Sequence, residues 1–340
     1  MDMGRHHVSK HILKRDSSIF VAGHRGMVGS SIIRALKKSG YNNLILRSRN
    51  ELDLSSREAV RDFFSRFPPD LVILCAARVG GIIANSNFPA DFIEQNLNIE
   101  VNIISEAQRA GVTRLLFFGS SCVYPRCCPQ PIREDYLLSG PLEPTNRPYA
   151  IAKIAGIELC WAFNRQHGTG YFSIMPPNLY GLGDNYDPYN SHVIPGLIQK
   201  MHAAKTNGNL SMTAWGSGQA KREFLLVDDL AEACLFLLSC PDNCLEQLVN
   251  DESPPIINVG YGEEITIKKL SEIVQEVTGF KGQVDWDMSK PDGTPRKILS
   301  TTKMDNLGWK ANTDLRTGIK IAYKDYLSHI TKISPNLAEH

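Results

Sequence analysis

Five short apolar runs dominate the first half of the chain: SIFVAG at 18–23, NLILR at 43–47, LVILCA at 71–76, RLLFFG at 114–119 and YFSIM at 171–175. Each is rich in branched and aromatic residues, is too short for a buried helix, and reads as a strand. Helical patterns lie between them at 27–39, 55–67, 88–110 and 149–166. In the first of these Val28, Ile32, Ile33 and Leu36 share a face, and in the second Ser56 stands where an N-cap belongs. Strands separated by helices are joined by crossovers, which makes the sheet parallel. Strands that are apolar on both sides need helices on both faces. The expected fold class is therefore α/β.

The rhythm changes after residue 181, where Gly, Asn, Asp and Pro crowd 181–195, 251–263 and 289–296 around helical segments near 227–238 and 266–280. A chain of 340 residues also exceeds what one core usually holds. The expected division is a tail at 1–17, a nucleotide-binding domain at 18–181 and about 222–250, and a smaller C-terminal substrate lobe at about 182–221 and 251–325. His7 and His11 in the tail are four apart, but no acidic or cysteine ligand joins them, so a frayed end is expected rather than a metal site. A net charge of +1 advertises neither nucleic acid nor a membrane surface as a partner, and no apolar run is long enough to span a bilayer. The eight cysteines are scattered and no secretory pattern opens the chain, so a reducing, cytoplasmic setting is expected.

The first strand runs straight into Gly23-His24-Arg25-Gly26-Met27-Val28-Gly29, which opens the first helix. Glycines at this spacing let the backbone approach a pyrophosphate while the helix N-terminus faces its charge. A bare turn would not need three of them. The fold then reads as Rossmann-type, with a dinucleotide at the loop. An NAD site usually carries an acid after the second strand, to hold the ribose hydroxyls. Here Arg47 and Arg49 stand there, and Arg25 lies inside the loop. Converging arginines suit a 2′-phosphate and predict NADP(H), with Asp53 and Leu54 at the adenine edge.

Tyr149 and Lys153 are one helical turn apart and share a face. A lysine beside a phenol stabilises its anion, so the pair suits proton transfer to a carbonyl oxygen as hydride arrives at its carbon. Ser120, just after the fourth strand, suits the substrate oxygen. Together, loop, serine, tyrosine and lysine resemble the extended short-chain dehydrogenase/reductases over nearly the whole chain. The resemblance implies Ser120, Tyr149 and Lys153 as the catalytic trio. It also implies that Lys153 holds the nicotinamide ribose, and that MPPNLYG at 175–181, with Pro176, Asn178 and Leu179, wraps the nicotinamide end.

Within that family the motifs GSSCVYP, EPTNRPYAIAKIAGIELC, NSHVIPGLI, WGSGQAKREF and SKPDGTPRK are similar to those of enzymes that epimerise GDP-4-keto-6-deoxy-mannose at C3 and C5 and then reduce it at C4. A ketone at C4 acidifies the flanking C–H bonds, and inversion needs a base on one ring face and an acid on the other. Cys122 suits the base and His192 the acid, roles the resemblance also implies. Taken singly, Cys122 reads as a small buried apolar residue and His192 as a loop histidine. If the chain stays extended, Cys122 faces the same way as Ser120.

The resemblance further implies His192 near the cofactor, and Lys200, Trp215 and Arg222 along the GDP diphosphate. Asp292 is a candidate for a sugar hydroxyl. A homodimer packed through 88–110 and 149–166 is implied as well. Three departures stand out: Pro177 where threonine is usual, Leu226 where histidine is frequent, and Arg78 where lysine is frequent. A 4-keto-heptose reductase without epimerisation is the competing enzyme reading. A cofactor-binding regulator would have eroded Ser120, Tyr149 or Lys153, and none is eroded.

Overall fold

The computed structural model describes residues 13–188, 191–240, 247–290 and 292–333. The His7/His11 pair lies outside these. The first half follows β1 (Ile19–Ala22), α1 (Met27–Lys38), β2 (Leu44–Ile45), α2 (Arg57–Arg66), β3 (Leu71–Leu74), α3 (Ile82–Asn87), α4 (Pro89–Arg109), β4 (Arg114–Phe118), α5 (Arg147–His167) and β5 (Gly170–Met175). Then come β6 (Asn178–Tyr180), α6 (Val193–Thr206), β7 (Ser211–Trp215), β8 (Lys221–Arg222), β9 (Phe224–Leu226) and α7 (Val227–Ser239). The chain continues through β10 (Ile256–Asn258), β11 (Ile265–Thr266), α8 (Ile267–Thr278), β12 (Gln283–Asp287), β13 (Arg296–Lys297), α9 (Thr302–Leu307) and α10 (Leu315–Ile333).

Among the described residues a six-stranded sheet runs in the order β10-β5-β4-β3-β1-β2, and every pairing in it is parallel. The expected α/β class holds. Alternation along the strands assigns the two faces. Ile19 and Val21 of β1 join Ile32 and Leu36 of α1 and Leu230 and Leu237 of α7 in one core. Phe20 and Ala22 join Val60 and Phe63 of α2, Ile103 of α4 and Ile157 of α5 in another. A third core unites α6, α8 and α10 through Ile198, Met201, Leu270, Val274 and Ile319.

Ser56 caps α2, its hydroxyl accepting from Ala59 N at 3.3 Å. The second strand is shorter than its apolar run, because only Leu44 and Ile45 pair. The sixth strand comes from a stretch read as part of the smaller lobe. Ile256–Asn258 pairs with β5, and three residues after a Pro-Pro step are too few to register as a strand in the sequence. Leu226 sits at the β9–α7 junction and is buried in the third core.

One buried carboxylate ties the β8–β9 segment to two later stretches of the chain. Glu223 is fully buried between β8 and β9. Its Oε1 accepts from Gly262 N at 2.7 Å, after β10, and its Oε2 from Leu299 N at 2.8 Å, after β13. Burial pushes its carboxyl up, and these backbone donors pull it back. Because Glu223 directly follows Arg222 and its N–H donates to Lys297 O at 3.3 Å, the same knot fixes two cationic side chains of the site. Glu223→Ala leaves buried N–H groups unpaired, and a loss of roughly 2–5 kcal/mol is expected. Thermal unfolding reads this directly. An unchanged midpoint would show that water replaces the carboxylate without loss.

Candidate active site

A cavity of about 830 Å³ opens at the carboxyl ends of β1, β3 and β4. This is where strand order reverses in an open parallel sheet. The glycine loop forms one wall, with Gly23, His24, Arg25, Gly26, Met27, Val28 and Gly29 all lining it. Gly23 has φ +84°, and a Cβ there would lie 2.6 Å from Ala76 N at the end of β3. A Cβ on Gly29 would overlap the carbonyl of Gly23. Side chains are thus excluded where a diphosphate would meet the backbone. Gly26 caps α1 without a side-chain acceptor of its own. The cradle fits a nicotinamide dinucleotide, held by the loop and by the N-terminus of α1.

The far end of the cavity is cationic: Arg25, Arg47 and Arg49 line it, beside Asp53 and Leu54. Arg47 lies over the rings of Phe63 and Phe67, 5.9 and 5.5 Å from their centroids. An acid, Glu51, also stands after β2. Glu51, however, folds back on Ser48, accepting from its N at 2.7 Å and its Oγ at 2.6 Å. Asp53 is similarly engaged by Ser55, at 3.0 Å from N and 2.7 Å from Oγ. Burial, then the Arg25 charge, hold His24 below the usual imidazole range.

Ser120, Tyr149 and Lys153 line the same cavity. The Ser120 hydroxyl pulls the Tyr149 phenol down. Larger effects push it up: burial first, then the charges of Cys122 and Glu100. The expectation that Lys153 stabilises a phenolate needs correction. Lys153 Nζ lies 3.0 Å from Glu100 Oε1 of α4, with the two side chains 2% and 1% exposed. The lysine charge is matched by a buried carboxylate before it reaches Tyr149, whose ring centroid is 5.8 Å from Nζ.

Cys122 lies in the cavity beside Ser120, but not for the expected reason. The chain does not stay extended: Ser121–Val123 form a 3₁₀ turn capped by Ser120, whose Oγ accepts from Cys122 N at 3.3 Å. The sulfur then meets two donors absent from the sequence reading. Asn146 Nδ2 lies 3.1 Å from Sγ, and Lys297 Nζ of β13 lies 3.6 Å away. His192 lines the cavity from the N-cap of α6, and burial holds its imidazole below its usual range. Pro176, Pro177, Asn178 and Leu179 close the wall, pinned where Ser121 N donates to Pro176 O at 3.1 Å.

Lys200, Trp215, Arg222 and Asp292 form a second group, outside the residues that line this cavity. Lys200 Nζ sits 4.8 Å from the Trp215 ring centroid, and Trp215 is 43% exposed. Burial holds the Arg222 guanidinium below its usual range, and the charges of Asp292, Cys122 and Glu143 push it back up. Asp292 does not fit its expected role. Its carboxylate accepts from Ser217 N and Ser217 Oγ, both at 2.7 Å, so it fastens the turn after Trp215. Its backbone carbonyl accepts from Arg222 Nη2 at 3.1 Å, so Asp292 orients the arginine instead. Arg78, the third departure, pairs with Asp91 at 3.1 Å and stacks near Phe92.

The family model described as the NAD dependent epimerase/dehydratase family matches residues 19–260. The chain belongs to this family. GDP-L-fucose synthase 1 of Arabidopsis thaliana is 51% identical, over 93% of this chain and 95% of its own. A GDP-6-OMe-4-keto-L-xylo-heptose reductase from C. jejuni superposes with TM-score 0.88 at 34% identity, over 94% of this chain and 100% of its own. A GDP-L-fucose synthetase from Naegleria fowleri bound to NADP superposes with TM-score 0.82 at 27% identity, over 94% and 97%. The family's nicotinamide cofactor matches the cradle described above.

In this epimerase/dehydratase site the Lys297 ammonium lies 3.6 Å from the Cys122 sulfur, and a positive charge beside sulfur favours its nucleophilic form. Lys297→Met should slow alkylation of Cys122 by roughly threefold or more, read peptide by peptide in a mass spectrometer. The exposed Cys127 should react as before and serves as the internal control. Equal Cys122 rates in both proteins would remove Lys297 from any role at the sulfur.

Proposed function

We propose that this chain converts GDP-4-keto-6-deoxy-D-mannose to GDP-L-fucose with NADPH, by epimerisation at C3 and C5 followed by reduction at C4. One observation carries the reading: the Cys122 sulfur, facing Lys297 and Asn146, lines the same cavity as the Ser120–Tyr149 pair. A reductase alone has no use for a thiol so equipped. Cys122 takes the proton from the carbon beside the ketone, and His192 returns one on the opposite ring face. Ser120 holds O4, and Tyr149, kept protonated by its surroundings, gives its proton to O4. When bound, the cofactor supplies the hydride to C4. Lys153 is placed to meet its nicotinamide ribose, and Arg25 and Arg49 to meet a 2′-phosphate.

Lys200 and Arg222 take the diphosphate of the substrate, with Trp215 offering a ring face beside them. We assign the chain to the cytoplasm; none of the described helices is long and apolar enough to cross a membrane. Pairing of two copies through α4 and α5 fits the exposed Val101 and Ile151 on those helices. The decisive experiment incubates the protein with NADPH and GDP-4-keto-6-deoxy-D-mannose and identifies the product by NMR. GDP-L-fucose supports the reading. A 4-reduced sugar with C3 and C5 unchanged moves the chain to the reductase class that the heptose enzyme represents.

Arg49→Ala should weaken NADPH binding roughly tenfold or more and leave NADH binding nearly unchanged, since a charged contact contributes about 1.5–3 kcal/mol. Cofactor titration by fluorescence checks this, and equal wild-type affinities for the two cofactors would refute the assignment of NADP. Cys122→Ser changes little volume and leaves Ser120, Tyr149 and Lys153 in place. A serine hydroxyl ionises far less readily than a thiol, so deuterium uptake from solvent at C3 and C5 should collapse while NADPH oxidation persists. The expected product is an unepimerised GDP-6-deoxyhexose. GDP-L-fucose formation at the wild-type rate would reduce Cys122 to packing.

A further inference from the structure

Glu100 lies on the buried stripe of α4 that also carries Asn96, Ile103 and Ala107. A charged residue almost never takes such a place unless paired. Its partner is Lys153, at 3.0 Å, in a pocket walled by the Phe117 ring, whose centroid lies 4.7 Å from the ammonium. The second carboxylate oxygen, Oε2, has no hydrogen-bond donor. It faces Gly156, where an added Cβ would lie 2.9 Å away. Burial pushes the Glu100 carboxyl up and the Lys153 charge pulls it back, so the ion pair is what favours the carboxylate form there.

We propose that Glu100 is a positioning residue that keeps the proton on Tyr149, so that Tyr149 stays a proton-carrying acid. The consequence for catalysis rests on the reductase step assigned above. A negative charge near a phenol makes the phenol harder to deprotonate. The groups facing this cluster are few. Cys160 of α5 and Cys75 after β3 are buried thiols pushed up by desolvation, so they stay neutral. Cys122, on the 3₁₀ turn, acts on Tyr149 in the same sense as Glu100. Among the described residues, the carboxylate whose charge raises the Tyr149 phenol is that of Glu100. In a reduction the acid must begin the cycle protonated, and a lysine left without this partner would pull the phenol the other way.

The test uses Glu100→Gln, which keeps shape and removes charge. In the protein without added ligands, phenolate absorbance in the near ultraviolet is followed against pH. Subtracting the matching Tyr149→Phe protein isolates Tyr149. The phenolate should appear about one pH unit or more lower in the variant than in wild type, a tenfold change in the ionisation constant. The alkaline limb of single-turnover NADPH oxidation should move the same way. Phenolate appearing at the same or a higher pH overturns the proposal, and so does loss of thermal stability with both profiles unmoved. If Glu100→Gln does not fold, the comparison is made on Lys153→Met. The double variant, free of both charges, should then ionise Tyr149 at lower pH than Lys153→Met alone, and equal onset overturns the proposal. The spectral arm needs no substrate. A spectral shift with no NADPH oxidation at any pH would support Glu100's role and fault the functional reading alone.

Discussion

Helix α5 can lie where it does because residue 156 has no side chain. A Cβ there would sit 2.6 Å from Phe117 Cζ of β4 and 2.9 Å from Glu100 Oε2 of α4, well inside contact distance. Interiors packed to crystal density do not yield by that much, so a larger residue would push α5 off the sheet. Displacement of about 1 Å in a catalytic group can lower a rate by roughly a hundredfold. Lys153 stands one turn before Gly156 and Tyr149 one turn before that. The close helix–strand contact therefore sets the height at which the ammonium meets Glu100 and the phenol meets Ser120. Ser120 is placed by the other half of the same contact, because it follows β4 and its neighbour Ser121 is tied to Pro176.

The parts of this structure legible in the sequence are those encoded locally. The five apolar runs, the helical periods and the glycine loop each report on a few neighbouring residues, and each appears where expected to within a residue or two. Tyr149 and Lys153 were legible because a shared helix face is a local property. Ile256–Asn258 was not, because three residues carry too little pattern to distinguish a strand from a loop. Asn146 and Lys297 reach Cys122 across 24 and 175 residues of chain, so no local signal could announce them. Asp292 misled for the same reason. Its partners at Ser217 are 75 residues away, and a lone acid in a Gly/Pro loop looks free until the turn it fastens is seen.

Glu100 is the instructive case, since a signal existed. Its spacing from Asn96, Ile103 and Ala107 puts a charge on the face of α4 that meets the sheet. A helix read only for its period absorbs such a residue as noise. Read for its exceptions, it points to a buried counter-charge, which Lys153 of the helix packed alongside supplies. Breaking such a pair typically costs about 3–5 kcal/mol, although replacing both partners with apolar groups is often neutral. Stability alone therefore gives little reason to place an ion pair there. Its position beside the phenol is better explained by what it does to proton affinity.

That affinity is the opposite of what the neighbouring thiol needs, and the site keeps the two apart by the sign of what surrounds each. Cys122 meets the ammonium of Lys297 and the amide of Asn146, both of which favour an anion on sulfur. Tyr149 meets burial and Glu100, which favour a neutral phenol. The two groups are also coupled, since charge on Cys122 raises the phenol further. Lys297 comes from β13 and Glu100 from α4. The Glu223 knot, whose N–H donates to Lys297 O, therefore also holds the ammonium that faces the Cys122 sulfur.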